Sequence, residues 1–188
     1  MKKLIIAATA AVLAATVSCG TGKKSRSSHK PYEPAINSYC RAMTDCDPDA
    51  LLECTLPKEA AAAAKNSPDH DDFYKAGKEG MEAVRQGWIV SCGAGPEMTL
   101  DEIKSSVQLS DAQLRSAESY LSSASEQYGA NGLSPKVSEG YEAVLSLKIS
   151  GADYVTTMEN TCCMVNIEED GWKMITVPAD ALEGNAEE

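Results

Sequence analysis

Aromatic side chains are scarce: they make up 5% of the 188 residues, and Phe occurs once. A core must therefore be built from Leu, Ile, Val, Met and Ala. Positive charge is also short. Lys and Arg number 17 against 28 Asp and Glu, a formal net charge of −11. So acidic a chain argues against nucleic acid as a partner, because phosphate binding needs a basic surface. The sequence has no Cys-x-x-Cys pair and no Gly-rich phosphate loop, so the common zinc and nucleotide signatures are missing. What is present, 43% apolar and 24% charged residues, is a globular composition. The length suits one domain with appendages.

The first appendage is at the N-terminus. Lys2 and Lys3 precede an apolar stretch from Leu4 to Val17, then Ser18, Cys19 and Gly20. The stretch is short for a bilayer span, which needs roughly 20 apolar residues, and has the make-up of an export signal. Small residues just before a Cys resemble the lipobox of bacterial lipoproteins, with Thr16 where that family usually has Leu. The resemblance implies that residues 1–18 are a signal peptide and that Cys19 receives a diacylglycerol. A plain secretory signal with an incidental Cys19 is the alternative. Residues 19–31 read as a tether, because Gly20 to Ser28 is Gly/Ser-rich and carries Lys23, Lys24 and Arg26. Two acyl chains suffice for stable attachment. Loss of the signal would leave 15 Lys and Arg against 28 acids, a net −13, so an acidic body would stand off an anionic bilayer. The expected location is the extracytoplasmic face of a bacterial membrane, with the lipid anchor as the membrane partner.

Six further cysteines remain: Cys40, Cys46, Cys54, Cys92, Cys162 and Cys163. An even number in an exported chain suggests disulfides, with fifteen possible connectivities for six. Buried free thiols are the competing reading, and a metal site is a third. Cys162 and Cys163, adjacent in a strand-like run, should point to opposite faces. Cys40 on an apolar helix face and Cys163 on an apolar strand face suggest a bridge from helix to sheet.

Periodicity divides residues 32–178 into helices followed mostly by strands. Tyr32, Ile36, Tyr39, Cys40, Met43 and Cys46 recur at helical spacing. Asp47-Pro48 can cap a second helix carrying Leu51, Leu52 and Cys54. Lys58 to Lys65 is Ala-rich and reads as a third. Phe73, Gly77, Met81, Val84 and Trp88 mark one face of a longer helix that opens at Ser67-Pro68-Asp69. Met98 to Leu109 reads as a strand with Ile103, Val107 and Leu109 on one parity. Ser110 and Gln113 form a capping box for a helix carrying Leu114, Ala117, Leu121, Ala124 and Tyr128. Tyr141, Ala143, Leu145, Leu147 and Ile149 alternate with polar residues along a half-buried strand. The next strand has Cys163, Val165 and Ile167 inward, with Cys162 and Met164 outward. Asp170-Gly171 suggests a tight hairpin turn before a last strand, Trp172 to Val177. Residues 179–188 read as an acidic tail.

This order, an α+β layer, resembles the NTF2-like (cystatin-like) fold, in particular its small exported lipoproteins. The resemblance is carried by two segments. One is the opening helix Ile36 to Asp47, with Tyr39 and Ala42, followed by Leu51-Leu52 and Pro57. The other is the closing run Val165-Asn166-Ile167-Glu168-Glu169-Asp170-Gly171-Trp172-Lys173-Met174-Ile175. It implies N-terminal helices packed on a curved antiparallel sheet that leaves a cone-shaped cavity. That fold hosts enzymes and binding modules alike.

Catalytic members usually place an acid, His or Tyr on the cavity wall. Here Glu159 and Tyr141 are the one polar pair available. His29 lies in the tether, and His70, between Asp69 and Asp71, sits where acids favour a helix N-terminus. No cofactor or metal is expected. The reading is therefore a lipid-anchored, non-catalytic module binding an unidentified small molecule or protein. A small-cavity enzyme using Glu159 and Tyr141 is the alternative. Cys162, Met164 and Val144 make the sheet's second face too apolar to stay bare, which suggests a homodimer or a folded-back segment over Met164.

Overall fold

A computed structural model describes Lys30 to Glu183. The signal segment, Cys19, His29 and residues 184–188 lie outside the described residues. The elements are α1 (Glu33–Asp45), α2 (Pro48–Thr55), α3 (Lys58–Lys65), α4 (His70–Cys92), β1 (Glu97–Gln108), α5 (Asp111–Gln127), β2 (Val137–Ser150), β3 (Val155–Ile167), β4 (Gly171–Ile175) and α6 (Ala179–Glu183). The strands form one antiparallel sheet in the order β1-β2-β3-β4. The class is α+β, consistent with the NTF2-like arrangement.

Local chemistry sets the helix ends. Cys46 adopts φ 51° and closes α1, a left-handed cap. Asp47 Oδ1 then accepts from the Asp49 and Ala50 amides at 3.0 and 3.1 Å and opens α2. Ser110 and Gln113 form the expected reciprocal box at the start of α5, satisfying two amides that the helix leaves without partners.

The sheet is covered on both sides. Ala143, Leu145, Leu147 and Ile149 of β2 share a cluster with Cys162, Met164 and Met174 beneath α1 and α4, which contribute Tyr32, Ile36, Cys40, Trp88 and Cys92. On the other side Cys163, Val165, Ile167 and Ile175 pack against Ala117 and Leu121 of α5 and Ala179 and Leu182 of α6. Gly140 lets α5 come close, since a Cβ there would collide with Leu109 and Leu114. A third cluster joins Leu52, Leu56, Ala60, Ala61 and Ala64 to Phe73, Ala124 and Tyr128. The small alanines of α3 let the segment after α2 pass around the β4 edge and meet α5. Lys173 of β4 donates to the Glu53 carbonyl at 2.7 Å, and Asp170 accepts from the Lys58 amide at 2.6 Å. The edge is thus covered by helix rather than left to pair.

Several expectations need correction. The face of Cys162 and Met164, expected to point outward, lies under the opening helix, so α1 itself covers Met164. The apolar surface from which a homodimer was inferred is therefore not available at Met164. Cys40 and Cys163 stand on opposite sides of the sheet, so the expected bridge between them has the sheet in its way. In β1 the register shifts between Leu100 and Glu102 and again between Ile103 and Ser105. Each irregularity resets the alternation. Met98, Leu100 and Ile103 stay on the core side, while Val107 comes out 64% exposed. The closing hairpin pairs Ile167 with Gly171, a turn of Glu168, Glu169 and Asp170. The positive φ angles fall on Glu169 and Gly171, not on Asp170. The supposed tail from Ala179 begins with a helix docked by Ala179 and Leu182.

Tyr32 fixes the start of the domain: it is fully buried and its hydroxyl donates to Ser106 Oγ at 2.7 Å. Tyr32→Ala should cost about 3–5 kcal/mol, the usual loss for a large buried ring. Tyr32→Phe should cost about 1 kcal/mol, the worth of one hydrogen bond. Urea denaturation of the two variants checks the order and the gap.

Candidate functional site

The described chain enters the fold at an aromatic cluster. The Tyr32 ring lies 5.5 Å from Tyr141 and 5.4 Å from Trp172, which are themselves 6.0 Å apart. Burial raises the Tyr32 hydroxyl pKa. Tyr141 donates to Glu139 Oε1 at 2.6 Å, and that bond is the main reason its own pKa is raised. Tyr141 is thus held as a neutral donor to a neighbour on its own strand, an arrangement suited to positioning rather than to proton transfer.

Beside this cluster an open groove of about 710 Å³ runs between α1 and α2. Ala35, Ser38 and Ala42 of α1 face Ala50, Glu53 and Cys54 of α2, with Trp172 also on its wall. Its charged groups are occupied. Asp45 pairs with Arg41 at 3.5 Å, Glu53 with Lys65 at 2.5 Å, and Asp47 caps α2. The space between α1, α4 and the sheet is filled by Ile36, Tyr39, Met43, Trp88, Leu145 and Met158 among others.

The proposed catalytic pair does not meet. Tyr141 faces Met164 across β2 and β3, and Glu159 faces Ser146, so the two project from opposite sides of the sheet. The odd parity of β3 that carries Cys163 and Glu159 aligns with the even parity of β2, not with Tyr141. Glu159 is 59% exposed and ion-paired with Lys104. It lies on the distal half of the face that α5 and α6 cover only in part, where Glu102, Ser105 and Thr157 are also exposed.

His70 opens α4. Its Nε2 lies 3.0 Å from Asp49 Oδ1, its Nδ1 3.8 Å from Asp71, and its ring 5.8 Å from Tyr74. The contact with Asp49, far off in sequence, ties α4 to α2. Among the described residues no group of three or more His, Cys, Asp or Glu is placed to hold a metal ion.

All six described cysteines are buried free thiols. Burial pushes Cys40 up to about 11, and Cys54, Cys162 and Cys163 up to about 12. These four are neutral at physiological pH and unsuited to act as nucleophiles. No protein-family model, no curated protein and no solved structure matches this chain.

These thiols predict how stability depends on pH. Those of Cys40, Cys54, Cys162 and Cys163 bind their protons more tightly folded than unfolded, where the pKa is about 8.5. The stabilisation is complete below that value and is lost as pH rises through 11 to 12. The reduced protein should show a falling urea midpoint from about pH 9 upward. A midpoint level from pH 8 to 11 would show that the buried thiols do not govern this range.

Proposed function

We propose that this chain is an exported lipoprotein, anchored through Cys19, whose single NTF2-like domain is a non-catalytic interaction module carried on a short basic tether. The anchor rests on the order of Lys2-Lys3, the apolar segment Leu4 to Val17, and Ser18-Cys19-Gly20. The described domain is fastened at Tyr32, whose buried hydroxyl donates to Ser106 Oγ.

The observation that carries the non-catalytic reading is the filled interior. Where a cavity-type enzyme would bind substrate, Tyr39, Met43, Trp88 and Met158 pack against Leu145 and Leu147. The acid that such an enzyme would need, Glu159, faces solvent on the other side. Recognition then falls to the outer surface, which includes the distal part of the sheet where Glu102, Ser105 and Thr157 are exposed. Tyr154 and Val155, 71% and 61% exposed, stand at the end of the β2–β3 pair away from Tyr141 and Tyr32.

Fatty-acid labelling in a bacterial host tests the anchor. The wild type should incorporate labelled palmitate and fractionate with membranes. Cys19→Ser should lose the label, accumulate as the longer precursor and be poorly retained. Undiminished labelling of the variant would refute the assignment.

A further inference from the structure

The connection between α5 and β2 carries the one Asn-Gly pair of the sequence, Asn131-Gly132. Its two sides are fastened. The Ala130 amide donates to the Ser125 carbonyl at 3.0 Å, and Ser122 Oγ donates to the Leu133 carbonyl at 2.8 Å. Ala130 and Leu133 also pack on the cluster of Leu52, Ala60 and Ala64. Asn131 and Gly132 stand out between these supports as an exposed turn. Gly132 has φ 76°, which a side chain would disfavour, and a Cβ built there would meet nothing within 4 Å. Among the described residues neither the Asn131 side chain nor the Gly132 amide has a hydrogen-bond partner.

We propose that Asn131 is a site of spontaneous deamidation and isomerisation, with water as the only co-reactant. The Gly132 nitrogen, once deprotonated, attacks Asn131 Cγ. The new N–Cγ bond closes a succinimide ring, and the side-chain nitrogen leaves as ammonia, on which the amide proton ends. Water then adds to one of the ring carbonyls and breaks the C–N bond at that carbonyl. Opening at Cγ leaves aspartate, and opening at the backbone carbonyl leaves isoaspartate. A side chain at position 132 would crowd the attack, and an amide held in a hydrogen bond would have to be released first. Gly132 presents neither obstacle.

The chain holds a second pair open to the same ring closure, under opposite conditions. Asp170-Gly171 also joins a β-carboxyl group to a glycine of positive φ, 81°. There the carboxylate accepts from the Lys58 amide at 2.6 Å, and Gly171 is paired with Ile167 in the sheet. Asn66, another exposed asparagine, donates its side chain to the Ala62 carbonyl at 2.8 Å, and the Ser67 amide behind it donates to the Ala64 carbonyl at 3.2 Å. Asn131 is the one left open on both counts. Isoaspartate there inserts an extra backbone atom between the fastened residues Ala130 and Leu133, and either product adds an acid to an already acidic chain.

The test uses full-length protein carrying Cys19→Ser, so that the outcome does not depend on export or on the anchor. It is incubated folded and, in parallel, in urea, then digested and mapped by mass. Deamidation shifts the peptide holding Asn131 by the mass difference between an acid and an amide, and isoaspartate separates from aspartate by retention and backbone fragmentation. In the folded protein Asn131 should lose its amide within a few-fold of the rate in urea, faster at mildly alkaline than at neutral pH, with isoaspartate among the products. Asp170 should isomerise only in urea. Asn131→Gln, whose ring would be larger and slower to close, should keep its amide. A reaction that had to wait for global unfolding would be slowed roughly a thousandfold or more. Protection of Asn131 in the folded protein beyond the few-fold margin, or isomerisation of folded Asp170 at its rate in urea, would overturn the proposal.

Discussion

Four consecutive residues of β3, Cys162, Cys163, Met164 and Val165, have no solvent exposure at all, and the rest of the fold is arranged around that constraint. Adjacent strand residues point to opposite faces, so burying all four requires a cover on each side of the sheet. α1 and α4 supply one cover and α5 and α6 the other. Between α1 and α4, which share one side, α2 and α3 swing past the β4 edge and reach α5 on the other. The hairpin α1–α2, the alanines of α3 and the docked C-terminal helix each follow from covering both faces of one strand.

Much of this was legible at the level of elements. The helix that starts at Asp47-Pro48, the capping box at Ser110 and the helical spacing from Phe73 to Trp88 are local signals, and each lies where the spacing puts it. The assignment of faces was not legible in the same way. Alternation along β2 correctly marks Ala143 to Ile149 as one face, but it does not say which parity of β3 joins them. That depends on the cross-strand register, which pairs Tyr141 with Met164. A signal was present nonetheless. An unbroken apolar run such as Cys162 to Val165 marks a strand buried on both faces, and reading it as half-buried led to the misplaced Cys163, Glu159 and Met164. The irregularities of β1 leave no comparable trace, because a displaced register costs one residue and no particular residue type.

Legibility of the candidate site divides similarly. The proposed anchor at Cys19 is argued from linear sequence alone and lies outside the described residues. The cavity pair Glu159 and Tyr141 required knowledge of the register and did not survive it. The aromatic cluster of Tyr32, Tyr141 and Trp172 joins residues far apart in the chain and carried no advance mark. Its consequence is mechanical: the domain is fastened at its first described turn. The interior behind it is filled by side chains.

Native-state amide hydrogen exchange tests the central role of β3 most directly. If both faces of the sheet are closed by the protein's own helices, the amides of Cys162 to Val165 should exchange only through global unfolding, with a protection that matches the stability from urea denaturation. Exchange of these four amides as fast as that of the exposed β1 residues Glu102, Lys104 and Ser105 would mean that one cover opens independently, and would contradict the account.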